Sequence, residues 1–93
     1  MSMKARARAN FKGRVQGVFF RSNTQKAAHR FNVSGWVKNL RDGSVEAVFE
    51  GEKEDVENLI RWCKNEQPHA HVIGVKVKWE DYTGEFEDFE IRY

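Results

Sequence analysis

The stretch 35-GWVKNLRDGSVEAVFEG-51 predicts two short strands joined by a tight turn. An Asp-Gly pair between two apolar runs, here Asp42-Gly43, is a strong signal for a β-hairpin. The register of this hairpin stays open. A two-residue turn places Trp36 on the face of Val45 and Phe49. One bulged residue brings Val37 to that face instead.

Strand and helix patterns alternate on either side of the hairpin. Three further segments have the two-residue alternation of half-buried strands: residues 4–13, 73–79 and 89–93. Apolar residues at helical spacing follow Ser22 and run to Asn32, which is a plausible left-handed helix stop. A second helix is predicted from about Glu52 to Asn65. Ser22 and Gln25 match a capping box, which predicts that the first helix begins at Ser22.

The element order is therefore β-α-β-β-α-β with a short last strand. This order predicts a ferredoxin-like split βαβ sandwich, an α+β fold with an antiparallel sheet of order 4-1-3-2 and both helices on one face. With 93 residues and no repeat or linker, the chain is expected to form a single domain over residues 1–93. The fold hosts many functions and by itself decides little about activity.

Composition limits the class of protein. No apolar run approaches the roughly 18–20 residues of a membrane span, and the basic start of the chain lacks the apolar core of a secretory signal. The single cysteine, Cys63, fits a reducing compartment, so we expect a cytoplasmic protein with no membrane partner. Residues 1–41 hold ten Lys or Arg and no acid, whereas residues 42–93 hold six against fourteen Asp or Glu. This asymmetry fits an anionic ligand, nucleic acid or ordinary solvated surface.

The stretch 13-GRVQGVFFRSNTQ-25 carries the first chemical signal. Two glycines, Gly13 and Gly17, lie where a strand ends and a helix begins, and Arg21 follows them. Glycine lets a backbone bend tightly and approach a ligand, and a helix start presents unpaired N–H groups to an anion. The glycines alone are equally consistent with a simple strand-to-helix turn. In the predicted topology Asn39 ends a strand at the same end of the sheet, about 10 Å away, so Arg21 and Asn39 can converge.

Three motifs then carry a resemblance to a known family. The runs "GRVQGVFFR", "GWVKNLRDGSVE" and "FEIRY" occur in that order, and from about Ala9 to Tyr93 the chain resembles the acylphosphatases. The resemblance implies hydrolysis of carboxyl-phosphate mixed anhydrides to a carboxylate and inorganic phosphate, with no cofactor, metal or covalent intermediate. It also implies a small-molecule acylphosphate as substrate and phosphate as product and inhibitor. We expect a monomer.

The resemblance also implies a set of site residues. Arg21 would bind the phosphate and Asn39 would orient the attacking water. The backbone of the preceding loop would cradle the phosphoryl group, giving these phosphate-binding positions: Val15, Gln16, Gly17, Val18, Phe19, Phe20 and Arg21.

Competing interpretations concern other residues and other classes of protein. An RNA-binding module shares the element order, but the third strand, 44-SVEAVFEG-51, is acidic and lacks the aromatic pattern of those domains, so no nucleic-acid partner is expected. A non-catalytic anion-binding domain, like the related domain fused in hydrogenase-maturation carbamoyltransferases, is the second alternative. His69 and His71 lack an evident third metal ligand. Cys63 lies on an apolar helix stripe and is expected to be a core residue.

Overall fold

Two helices pack on one face of a five-stranded sheet in the computed structural model, which describes residues 3–93. The elements are β1 (Lys4–Arg14), α1 (Phe20–Arg30), β2 (Ser34–Asn39), β3 (Val45–Glu52), α2 (Lys53–Asn65), β4 (His71–Glu80) and β5 (Phe89–Arg92). The sheet order is β4-β1-β3-β2-β5. The predicted ferredoxin-like α+β fold and its 4-1-3-2 order are confirmed. Neither helix in this described part of the chain is long and apolar enough to span a membrane.

The four strands of the predicted order form an antiparallel sheet, and the short last strand, for which the sequence predicts no position, adds a parallel edge. β5 pairs in parallel with β2, where Gly35 lies opposite Phe89 and Val37 opposite Ile91. β4 and β5 lie at opposite edges, so residues 81–88 must cross the sheet before β5 begins. After crossing, β5 starts beside the start of β2 and therefore runs in the same direction. The sheet is mixed.

The hairpin adopts the bulged register. Asn39 is the last residue of β2 and pairs with Val45, and Leu40 N–H donates to Ser44 O at 2.9 Å across a three-residue turn. Val37 is consequently buried on the helix side, whereas Trp36 lies on the opposite face beside Val48. Burial of Val37 in the core favours this register over the two-residue turn.

The core lies between the helices and the sheet. Fully buried side chains from the strands meet those of α2: Ala7, Ala9, Phe11, Val37, Val45, Ala47, Phe49, Val56, Leu59 and Cys63. The second helix, predicted from about Glu52 to Asn65, is confirmed to within one residue. Burial of this apolar surface at about 25 cal/mol per Å² is the main stabilising contribution.

The predicted capping box at the start of α1 is wrong. The helix begins at Phe20, and no side chain among the described residues caps its N-terminus. The Ser22 hydroxyl instead donates to Phe19 O at 3.2 Å. Phe20 is buried with its ring centroid 5.2 Å from that of Phe11, so tertiary packing draws the helix start two residues earlier. At the other end Asn32 has φ 60°, which confirms the predicted left-handed stop.

A buried carboxylate holds the crossing segment, residues 81–88. The side chain of Glu50 is 1% exposed on the sheet face opposite the helices. It accepts hydrogen bonds from Arg6 Nη1 at 3.1 Å, Thr83 N at 2.9 Å and Gly84 N at 3.1 Å. A buried carboxylate needs such donors to offset its lost hydration. Because β5 follows directly, these contacts also set where the end of the chain lies.

Candidate active site

Apolar side chains anchor the loop between β1 and α1, residues 15–19, to the core. Val15 and Val18 are buried, and Phe20 anchors the first turn of α1 on Phe11. Between these anchors the backbone turns sharply, since Gly17 has φ 74° and Phe19 has φ 62°. A left-handed conformation is costly for a side chain as large as phenylalanine, and such strain is characteristic of functional loops.

The two glycines of the loop region have different roles. A Cβ on Gly13 would clash with the backbone oxygen of His71, so Gly13 is required by the close pairing of β1 with β4, which is bulged at this point. A Cβ on Gly17 would meet no atom within 4 Å. Gly17 therefore serves the backbone turn, at φ 74°, and keeps side-chain atoms out of the open space beside it.

Asn39 reaches the same region from the hairpin. β1 and β2 both run antiparallel to β3, so their ends lie together, as the topology predicted. Asn39 ends β2, and its Oδ1 is buried without a hydrogen-bond partner among the described residues. A buried polar atom without a partner is rare and points to a ligand or solvent molecule as its partner.

These elements surround a cavity of about 350 Å³. Its lining residues are Val15, Gly17, Phe19, Phe20, Arg21, Ser22, Asn39, Ile91 and Tyr93. Arg21 and Asn39 thus converge, and they do so with most of the predicted loop. Two predicted positions, Gln16 and Val18, do not line the cavity. Val18 is buried, and the Gln16 side chain contacts the hairpin.

Three lining residues were not predicted from the sequence. The sequence pattern predicts a helix cap for Ser22 and only an alternating strand for Ile91 and Tyr93. Tyr93 is 96% exposed, and its ring centroid lies 4.8 Å from the Arg21 guanidinium carbon. Ile91 and Tyr93 reach the cavity because β5 pairs in parallel with β2, and the local sequence pattern contains no signal for that pairing.

The electrostatics of the cavity favour an anion. Arg21 forms no ion pair within residues 3–93 and carries its charge beside the uncapped start of α1. A helix start and a guanidinium attract negative charge together. Among residues 3–93, the lining includes no Asp, Glu, His or Cys. The arrangement can therefore bind and orient an anion and a water molecule, and it offers no conventional side-chain base.

The described residues support neither a metal site nor a nucleophilic cysteine. Within residues 3–93 no group of three or more His, Cys, Asp or Glu could hold a metal ion. Cys63 is buried, which raises the pKa of its thiol to about 12, although hydrogen bonds to Thr24 and Gln67 act in the opposite direction. Such a thiol stays protonated, and the prediction that Cys63 is a core residue is confirmed.

The open face of the sheet is a poor platform for stacking bases. Its one large aromatic side chain among the described strands, Trp36, is 7% exposed. Three cationic groups lie near its ring centroid: the guanidinium carbons of Arg8 and Arg92 at 5.8 and 5.0 Å, and Lys38 Nζ at 5.4 Å. Base-stacking domains present bare aromatic rings, and these cations cover the ring.

The family model for acylphosphatases matches residues 7–91. The chain belongs to the acylphosphatase family. An acylphosphatase of Geotalea uraniireducens (strain Rf4) is 57% identical over 91 residues, which cover 98% of this chain and all of that protein. The resemblance drawn from the three sequence motifs is confirmed, as is the prediction of an acylphosphatase enzyme, a hydrolase.

Solved acylphosphatase structures share the fold. The Bacillus subtilis acylphosphatase is 34% identical, with a TM-score of 0.91 over 98% of this chain and all of that one. Full-length HypF, solved in a phosphate- and nucleotide-bound form, contains a segment 27% identical to this chain with a TM-score of 0.86. That segment matches all of this chain but only 12% of HypF. The acylphosphatase fold thus occurs both alone and within a larger protein.

Proposed function

We propose that this acylphosphatase hydrolyses small acylphosphates by attack of water on a phosphoryl group held by Arg21 and the β1–α1 loop, with Asn39 orienting the water. One observation carries the proposal. Arg21 and the unpartnered Oδ1 of Asn39 line the same cavity, of about 350 Å³, as Gly17. A cation and a hydrogen-bond acceptor that line one space are what an anion and its attacking water need.

The loop and Arg21 account for phosphate binding. A phosphoryl group spreads its charge over three oxygens, and positioned donors stabilise both the bound anion and the transition state. The guanidinium of Arg21 is a planar fork that matches two of those oxygens. Backbone N–H groups of residues 15–20 would supply the remaining donors, because two left-handed residues, Gly17 and Phe19, curl this loop.

Asn39 accounts for the direction of attack. Its Oδ1 can accept a hydrogen bond from water, which leaves a lone pair of the water oxygen directed at phosphorus. The water oxygen forms a bond to phosphorus while the bond from phosphorus to the acyl oxygen breaks, and its electron pair leaves on the carboxylate. Both water protons remain on the phosphate oxygens as dihydrogen phosphate. A carboxylate is a good leaving group, so a cavity lined without a side-chain acid or base suffices.

A substrate comparison tests the proposal. Benzoyl phosphate should be hydrolysed and p-nitrophenyl phosphate should not, because only the first has a carboxylate leaving group. A purely anion-binding domain would bind phosphate without hydrolysing either compound, and that result would overturn the proposal. Activity should survive exhaustive chelation, and activity that is lost and then restored by Mg²⁺ or Zn²⁺ would contradict the mechanism.

Phosphate itself provides a second test of the same site. As the product, it should bind in the cavity and compete with substrate. In an NMR titration with inorganic phosphate, the amides of residues 15–21 should shift most. If remote amides respond instead, the phosphate site has been assigned to the wrong place.

A further inference from the structure

The side chain of Gln16 joins the β1–α1 loop to the hairpin that carries Asn39. Its Nε2 donates to Leu40 O at 2.7 Å and to Ser44 O at 2.9 Å. Both partners are carbonyl oxygens, which only accept hydrogen bonds, so the NH₂ end of the Gln16 amide must face them. The Gln16 amide therefore donates both of its hydrogens, one to each side of the turn between β2 and β3.

The hydrogen bonds of Gln16 lie next to the cavity that contains Arg21 and Asn39. Gln16 lies between Val15 and Gly17, which line the cavity, and Leu40 follows Asn39 directly. The loop and Asn39 extend from β1 and β2, which are separated by β3. Within residues 3–93 no other hydrogen bond joins loop residues 15–19 to the turn at 40–44. The Gln16 side chain is therefore the direct hydrogen-bonded link between the loop and the turn in this part of the chain.

We propose that Gln16 is a positioning residue that holds Asn39 at the correct distance from the phosphate-binding loop. The inference rests on the proposed function and adds the means by which the two halves of its site are aligned. Attack by water requires the reacting atoms in near-contact geometry, and a misplacement of about 1 Å can cost roughly 100-fold in rate. Gln16 acts through Asn39 and need not touch the substrate.

The substitution Gln16→Met tests this role with little risk to the fold. Methionine has a similar length and shape but no donor. Leu40 O would keep the hydrogen bond from Gly43 N, and Ser44 O would keep the one from Leu40 N. Since neither carbonyl loses its last partner, the hairpin should persist, and circular dichroism with urea unfolding would verify this. Should Gln16→Met fail to fold, Gln16→Asn, which shortens the side chain by one methylene, allows the same comparison.

The expected result is a loss of turnover without a loss of phosphate binding. With benzoyl phosphate, kcat of Gln16→Met should fall at least about 10-fold, while the Kd for inorganic phosphate stays within about twofold because the loop and Arg21 remain. In an Asn39→Ala background the same substitution should cause little further loss, since two residues acting through one step are not additive. A merely structural role would give additive losses.

Gln25→Met is the matched control. Gln25 also donates its Nε2 to a backbone carbonyl, Phe89 O at 3.0 Å, but it does not touch the hairpin. Its substitution should leave kcat within about twofold of wild type. The inference is overturned if Gln16→Met keeps near-normal kcat, if its phosphate affinity falls in parallel with kcat, or if its loss adds fully to that of Asn39→Ala. An inactive wild-type protein would instead refute the proposed function.

Discussion

The Arg21 guanidinium lies against the Tyr93 ring in the lining of the cavity, with its carbon 4.8 Å from the ring centroid. A cation over an aromatic ring gains about 0.5–1 kcal/mol at an exposed site. Tyr93 is 96% exposed and so contributes to the site mainly by restricting Arg21. We therefore expect the residue that follows β5 to restrict the orientation of the Arg21 guanidinium.

Removal of the Tyr93 ring should weaken phosphate binding modestly. We expect Tyr93→Ala to raise the Kd for phosphate by about two- to fivefold, the equivalent of one exposed cation–π contact. Tyr93→Phe keeps the ring and should bind phosphate as wild type does. Isothermal titration calorimetry measures both. Equal affinity in all three proteins would show that the contact does not order Arg21.

Substitutions of Arg21 and Asn39 should separate binding from turnover. Arg21→Ala should lose phosphate affinity and kcat together. Arg21→Lys should have an affinity and a kcat between those of Arg21→Ala and wild type, since an ammonium keeps the charge but loses the planar fork. Asn39→Ala should lower kcat about 100-fold with phosphate affinity nearly unchanged. Steady-state kinetics and phosphate titrations measure the two effects. Near-normal kcat in folded Asn39→Ala would remove the water-orienting role.

Gly17→Ala should damage activity more than stability. The residue has φ 74°, and a left-handed alanine costs about 1–2 kcal/mol. The added methyl meets no protein atom within 4 Å and enters the space beside the loop. Gly84→Ala is the control, since Gly84 has φ 69° and lies in the crossing segment. Gly84→Ala should lose at least as much stability in urea, because its Cβ would also lie 3.3 Å from the Tyr82 ring, but only Gly17→Ala should lose most of its activity.

Stability should fall in acid because of Glu50. Burial alone would raise the pKa of Glu50, but hydrogen bonds from the Thr83 amide and hydroxyl and from Arg6 outweigh it and hold the pKa below the usual 4.5. The unfolded chain therefore binds this proton more readily. The resulting stability is present above about pH 4.5 and is lost as the pH falls through the folded pKa.

Glu50→Gln should abolish that contribution. Arg6 stays paired with Glu80 and Glu85, so the loss is that of hydrogen bonds to the Glu50 charge. The free energy of unfolding at pH 7 should therefore drop by about 1.5–3 kcal/mol, and the difference from wild type should shrink at pH 3. Glu90→Gln, which breaks an exposed pair with Arg92, should change stability by less than about 1 kcal/mol. Urea unfolding at both pH values measures this. A difference that is equal at both pH values would assign the loss to packing.

Much of the site could be predicted from residue types alone. The residue type alone marks three positions. Gly17 allows a tight turn, Arg21 can bind an anion, and Asn39 is a polar residue that is poorly suited to a strand. The topology then brought Arg21 and Asn39 to one end of the sheet. For Gln16 the sequence predicts only a backbone role in phosphate binding. The hydrogen bonds of its side chain to Leu40 and Ser44 could not be predicted, because they depend on which loop lies next to it in the fold.

The sequence by itself determined the element order, the hairpin turn at Asp42-Gly43 and the left-handed stop at Asn32. These follow from the side-chain period and from backbone preferences, which act over a few residues. The tertiary structure alone decided three other features. Phe20 starts α1 because its ring packs on Phe11, Val37 faces the core because one residue is bulged, and Tyr93 reaches Arg21 because β5 joins β2 in parallel. Each depends on contacts between segments distant in the chain, and the energy of such contacts leaves no trace in the local pattern.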